Sequence, residues 1–130
     1  MKLLKMNIMI CVTQQKTCER LIKAGVRLQE KHEGDIFVVH VAPEGWKILG
    51  NSKEGEALDY LFDISKKVGA NMTVLRSKEV IKTILEFCQK HSIGSIVLGE
   101  SREKSTENNL ITKLSKKIPS GVELQIIPTD

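Results

Sequence analysis

Between Ser95 and Gly99 the chain runs Ile96-Val97-Leu98, three aliphatic side chains in succession. Successive side chains of a strand point to opposite faces of a sheet, so a run of this kind is buried on both. Parallel sheets covered by helices on either face meet that requirement, and their strands read as near-continuous apolar stretches. The rest of the chain must therefore supply covering helices and neighbouring strands. After Gly99 a polar stretch without apolar residues runs to Asn109. In open α/β sheets, ligands bind outside the carboxyl ends of the strands, near the point where strand order reverses. A small-molecule site is expected here, with Gly99 permitting close backbone approach and Ser101 and Arg102 suited to an anion.

Read in order, the chain alternates strand and helix. Asn7 to Val12 is a first strand, nearly continuous in apolar character and hence central. Thr17 is placed to cap a helix with apolar positions Cys18, Leu21, Ile22, Gly25 and Leu28, ending near Lys31 to Gly34. Ile36 to Val41 is a second strand, apolar apart from His40, followed by a loop from Ala42 to Asn51. Its Trp46 has two readings, a lid over a ligand or, more commonly for a loop tryptophan, a cover for the edge of the core. Ser52 caps a second helix, whose inward face is Leu58, Leu61, Phe62, Ile64 and Val68 and whose stop is Gly69. Asn71 to Arg76 alternates as a half-covered edge strand does. Ser77 caps a third helix, Lys78 to His91, with Val80, Ile81, Ile84, Leu85 and Cys88 inward. Ser92-Ile93-Gly94 turns into the fourth strand. Leu110, Ile111, Leu114 and Ile118 mark a fourth helix ended by Pro119, and Val122 to Ile127 is a last strand, again an edge.

This pattern predicts a three-layer α/β/α fold around a five-stranded parallel sheet with right-handed crossovers. Residues 1–130 read as one domain, with 1–6 a short lead, and a chain of this length buries about two thirds of its unfolded surface.

Charge and composition narrow the function classes. The net charge of +4 arises from 20 basic against 16 acidic residues, a modest excess, and aromatics are only 4%. Nucleic-acid binding, which concentrates charge and adds stacking aromatics, is not expected. The apolar runs are too short to span a bilayer, and Met1 to Lys5 has positive charge without a sustained apolar segment, so the expectation is a cytoplasmic protein without membrane insertion. Cys11, Cys18 and Cys88 form no CxxC and have no histidine at ligand spacing, so no metal site is expected. Cys18, near a helix start, is the one with a case for reactivity.

Several enzyme classes are excluded by their missing motifs. The chain has no GxxxxGK[ST], no GxGxxG after its first strand and no GxSxG elbow. A phosphoacceptor receiver needs acidic residues where this chain has Thr13-Gln14-Gln15 and Arg76-Ser77. No nucleophile, base and oxyanion donors come together in the sequence, so the expected role is regulatory and not catalytic. His40 has two readings, a hydrogen-bonded core residue or a ligand contact, and the first is the commoner outcome for a histidine ending an apolar strand.

Along nearly its whole length the chain resembles the universal stress protein domain, above all the form found inside Kdp potassium-sensing histidine kinases. The likeness is carried by Ile8-Met9-Ile10-Cys11-Val12-Thr13, Glu19-Arg20-Leu21-Ile22-Lys23-Ala24-Gly25-Val26-Arg27-Leu28, Val38-Val39-His40-Val41, and Ile96-Val97-Leu98-Gly99 with Arg102. The resemblance implies strand order 3-2-1-4-5. Nucleotide-binding members place an aspartate after the first strand and use a G-x2-G-x9-G-[ST] loop. Here Thr13 stands at the aspartate position, Gly99 matches the first glycine, and Arg102, Thr112 and Lys113 replace the rest. Side chains at those positions obstruct a triphosphate cradle, while Arg102 offers a charge-assisted contact instead. Thr13 and Gln15 stand at the positions of the Ser-x-Ser of cyclic di-AMP-binding Kdp domains, and Ile36, Phe37, Val38 and His40 replace their aromatic-Thr-Ala-x-Tyr, so the resemblance does not extend to that ligand.

Three functional expectations follow from the resemblance. The first is a sensor of an adenine nucleotide (ATP, AMP or a relative), with the base at backbone near Val41, the sugar at Thr13 and phosphates at Gly99, Ser101 and Arg102; Gln15 and His40 complete this set. The second is an interaction module without nucleotide, forming a homodimer through Val122, Leu124 and Ile126 of the last strand or engaging a signalling protein. The third is a Kdp-type sensor domain acting in trans in potassium or osmotic signalling.

Overall fold

The computed structural model describes residues 7–12, 15–30, 34–42, 54–76, 78–99 and 106–127, with backbone alone at 15–18, 41–42, 54–55, 57, 76 and 106–111. Five strands and four helices alternate: β1 Asn7–Cys11, α1 Gln15–Glu30, β2 Ile36–Ala42, α2 Glu54–Lys67, β3 Asn71–Arg76, α3 Val80–Lys90, β4 Ile93–Gly99, α4 Thr106–Lys117 and β5 Glu123–Ile127. The strands form one parallel sheet in the order β3-β2-β1-β4-β5, with β3 and β5 at the edges as the alternation predicts.

The apolar side chains of β1 divide between the two faces. Ile8, Ile10 and Val12 join Val38, Val97, Leu21, Ile22 and Leu61 under α1 and α2. Met9 and Cys11 join Val39, Ile96, Leu98, Ile84, Phe87, Cys88 and Leu114 under α3 and α4. A strand with both faces buried has no solvated position, which is why β1 and β4 contain so little polarity. β4 begins at Ile93, earlier than the expected turn. Asn7 pairs with Ile93 and Ile8 with Ser95, so Gly94 is an extra residue in the strand. The extra residue shifts the alternation and lets Ile93 share a face with Ile96.

Several local expectations are corrected. Phe62 is 58% exposed, whereas Tyr60, Leu58, Ile64 and Val68 pack on the core and Ser65 is buried, its hydroxyl donating to the Leu61 carbonyl at 2.8 Å. The 100° step of the helix carries position 62 off the inward face despite its apolar side chain. Helix α1 starts at Gln15, so Thr17 lies inside its first turn. Helix α3 is entered from Glu79, which makes no side-chain cap, so Ser77 is not its cap. Helix α4 includes Thr106 to Asn109, because an opening turn needs no apolar residue. Leu75 of β3 packs on the second cluster, so that edge strand is covered on both faces. Ser52 and Trp46 lie outside the described residues.

Candidate functional site

The carboxyl edge of the sheet is where the chain's direction of growth reverses. From β1 the connection runs through α1 to β2 and then to β3; β4 then pairs with the opposite side of β1 and β5 continues outward. The carboxyl ends of β1 and β4 are the topological switch point of this sheet, the place where open α/β sheets take their ligands.

Among the described residues, His40 is a deeply buried polar side chain at this edge. It is 3% exposed, and its Nδ1 lies 2.6 Å from the carbonyl oxygen of Val12. A carbonyl only accepts, so Nδ1 carries the proton and donates. The same Val12 donates its N–H to the Val39 carbonyl at 3.0 Å. Thus β2 grips Val12, the residue that follows β1, by backbone and side chain together. His40 is buried and hydrogen-bonded, with its ring on the α1–α2 side of the sheet.

Gly99 closes β4 opposite Ile127 of β5. Its φ is not in the left-handed region, so no turn demands glycine there. A Cβ at this position would stand 3.3 Å from Cδ2 of Leu21, tighter than ordinary contact. The packing of Leu21 of α1 on β4 thus leaves little room for a side chain at this position.

Of the other residues singled out from sequence, Gln15 opens α1 and Val41 pairs with Leu75 near the end of β2, both described by backbone only. Thr13, Ser101 and Arg102 lie outside the described residues. The structure therefore brings His40, the Val41 backbone and Gly99 to one edge of the sheet. Val122 precedes β5, while Leu124 and Ile126 lie within it and are half-buried against the α3–α4 side.

One residue at this edge was not singled out. Arg20, next to Leu21 on α1, has its Nε and Nη2 buried without a hydrogen-bond partner. On the neighbouring flank, Tyr60 donates its hydroxyl to Glu19 at 2.6 Å. Nothing in the periodicity marks Arg20, since an arginine on a helix ordinarily reaches water.

Away from this edge, an open groove of about 810 Å³ runs along α3, lined by Leu85, Cys88, Ser92, Lys117, Pro119 and Val122 among others. A smaller one of about 170 Å³ lies between α1 and β5. Burial pushes the Cys88 thiol up to about 11, and burial followed by the nearby Cys88 pushes the Cys11 thiol higher still. Both are poor nucleophiles at neutral pH. Among the described residues, no cluster of three or more His, Cys, Asp or Glu could hold a metal ion, and no helix is long and apolar enough to cross a membrane.

Comparison with known proteins places this geometry. No protein-family model matches the chain. A Synechocystis sp. protein named as a KdpD sensor is 24% identical over 125 residues, 93% of this chain; the chain spans about a third (33%) of that relative's length. A universal stress protein from Archaeoglobus fulgidus superposes with a TM-score of 0.68 at 20% identity, covering 95% of this chain and 94% of that one. The A. fulgidus universal stress protein in complex with dAMP gives 0.66 at 18% identity, covering 94% and 97%. A universal stress protein in complex with cAMP gives 0.64 at 10% identity, covering 96% and 97%. The sheet order, the helices on both faces and these superpositions over nearly the whole of each chain agree: this chain has the universal stress protein fold.

Proposed function

We propose that this chain is a non-catalytic regulatory domain that binds an adenine nucleotide across the carboxyl ends of β1 and β4. The observation that carries the reading is the strand order, which puts the switch point at the ends of β1 and β4 beside His40, the Val41 backbone and Gly99, in a fold whose relatives include proteins bound to dAMP and cAMP. In this reading the base lies at the backbone near Val41 and the sugar near Thr13 and Gln15. The phosphates lie toward Gly99, Ser101 and Arg102. Only Gly99 matches the three glycines of the family's phosphate loop, which favours a mononucleotide or cyclic nucleotide over a triphosphate.

Calorimetric titration with AMP, cAMP, ADP, Mg-ATP and cyclic di-AMP tests this directly. Saturable binding of one of them, with a rise in melting temperature, is the expected result; a ligand at a hundred times its dissociation constant adds about 2.7 kcal/mol. No heat and no melt shift with any of the five overturns it.

A second reading is a homodimer formed through β5. It is favoured by the edge position of that strand, since an exposed edge invites pairing with another chain. The likeness to a KdpD-named sensor adds a cellular setting, potassium or osmotic signalling with the chain acting on a signalling partner in the cytoplasm.

A further inference from the structure

We infer that the guanidinium of Arg20 is an oxyanion-binding group, and that the oxyanion it takes is a phosphate of the bound nucleotide. The inference rests on the nucleotide-binding reading above, and its test separates the two.

Arg20 Nε and Nη2 are both buried and both lack a hydrogen-bond partner. A guanidinium keeps its charge across the whole range in which a protein is folded. Arg20 as a whole is half-buried, but taking two donors of a charged group out of water is costly, and folded proteins recover that cost by giving such donors acceptors. A buried guanidinium edge without acceptors therefore marks an unfilled requirement. The chemistry of that requirement is specific. Nε–H and one Nη2–H point the same way from one edge of the planar group, a fork that matches two oxygens of a single phosphate or carboxylate.

Its position selects the phosphate. Leu21, the next residue, packs on Gly99, so Arg20 leaves α1 at the level where β4 ends. Four and seven residues on, Ala24 and Arg27 lie on the same flank of the helix and border the small groove with Val97, Gln125 and Ile127. The Arg20 flank thus faces the β4–β5 half of the carboxyl edge. Glu19, the adjacent acid, is directed to the other flank by Tyr60. A nucleotide laid from the end of β2 across β1 toward Gly99 brings its phosphate to this flank.

The test compares the full chain with Arg20→Gln, Arg20→Lys and Arg20→Met. In calorimetry, Arg20→Gln is expected to weaken AMP by on the order of tenfold to a hundredfold while leaving adenosine unchanged, because the lost bonds are to a charged group. Arg20→Lys keeps the charge without the fork and is expected to fall between. Equal losses for AMP and adenosine overturn the inference. So does a lower melting temperature of ligand-free Arg20→Met, which shows the guanidinium already paired within the chain. If the unaltered protein binds no adenine compound, the nucleotide reading fails alone and inorganic phosphate decides on Arg20. A phosphate-dependent rise in melting temperature that disappears in Arg20→Gln supports the anion site, and no rise overturns it.

Discussion

A Cβ built on Gly25 would meet Cγ1 of Ile10 at 2.7 Å, because the Ile10 side chain of β1 already fills the space against the α1 backbone at Gly25. Ile10 is fully buried, so it has little room to yield. Alanine gains about 1 kcal/mol over glycine in helix propensity, while overpacking a close-packed core costs about 1–3 kcal/mol. The contact is too short for the smaller cost, so Gly25→Ala is expected to destabilise by about 1 kcal/mol or more. A urea midpoint unchanged from the parent protein would refute this.

His40→Leu removes the imidazole donor from the Val12 carbonyl and is expected to cost about 1–3 kcal/mol. His40→Asn places an amide N–H close to where Nδ1 stood and should recover part of that loss. Denaturation of the three proteins side by side gives the answer: equal stability of the leucine and asparagine variants would deny the hydrogen bond its role.

Ser95 is fully buried, and its Oγ has no partner. An unsatisfied buried hydroxyl opposes folding, so Ser95→Ala is expected to raise stability by up to about 1 kcal/mol. Thermal melts at neutral pH are sufficient, and a fall in melting temperature is the contrary result.

The two described thiols predict alkaline sensitivity. Cys88 is raised from 9.0 to about 11 and Cys11 further, whereas both ionise near 9.0 once unfolded. Groups held protonated by the fold contribute stability that is complete below pH 9 and lost as pH rises from there toward 11. The slope reaches about 1.4 kcal/mol per pH unit for each thiol. Cys88→Ala should make the decline between pH 9 and 11 visibly shallower, and an identical decline would exclude the thiol as its source.

Pairing through β5 predicts that Leu124→Pro gives monomers by light scattering. Glu123→Pro, at the first residue of the strand where proline is tolerated, serves as the milder version. A dimer that persists in both variants with unchanged circular dichroism counts against this interface.

Much of the sheet was legible because a strand buried on both faces has to be apolar throughout, as Ile8 to Val12 and Ile96 to Leu98 are. The helices were legible to within a turn or so of their ends. Their starts were harder, since Thr17 and Ser77 have capping chemistry but not the capping positions, and the opening turn of α4 is polar. Phe62 and Ser65 show why composition is weaker evidence than phase: the apolar one is outside and the polar one inside. At the candidate site, the sequence offered His40 as either core or contact, and only the pairing of β1 with β2 put Val12 within its reach. Arg20 could not have been found from spacing, because its significance lies in a missing acceptor.

The sheet order has a further consequence for how the molecule comes apart. Strands β3, β2 and β1 are drawn from residues 7–76, and β4 and β5 from residues 93–127, so each half of the sheet is one continuous segment of chain. Among the described residues, the one strand pairing that joins the halves is β1 with β4, and α1 bridges the same seam through Leu21 on Gly99. Partial opening is therefore expected to proceed like a zip along this line, each segment keeping its own hydrogen bonds. A molecule seated above β1 and β4 would clasp that zip, and amide exchange in β4 and β5 would slow together when it binds.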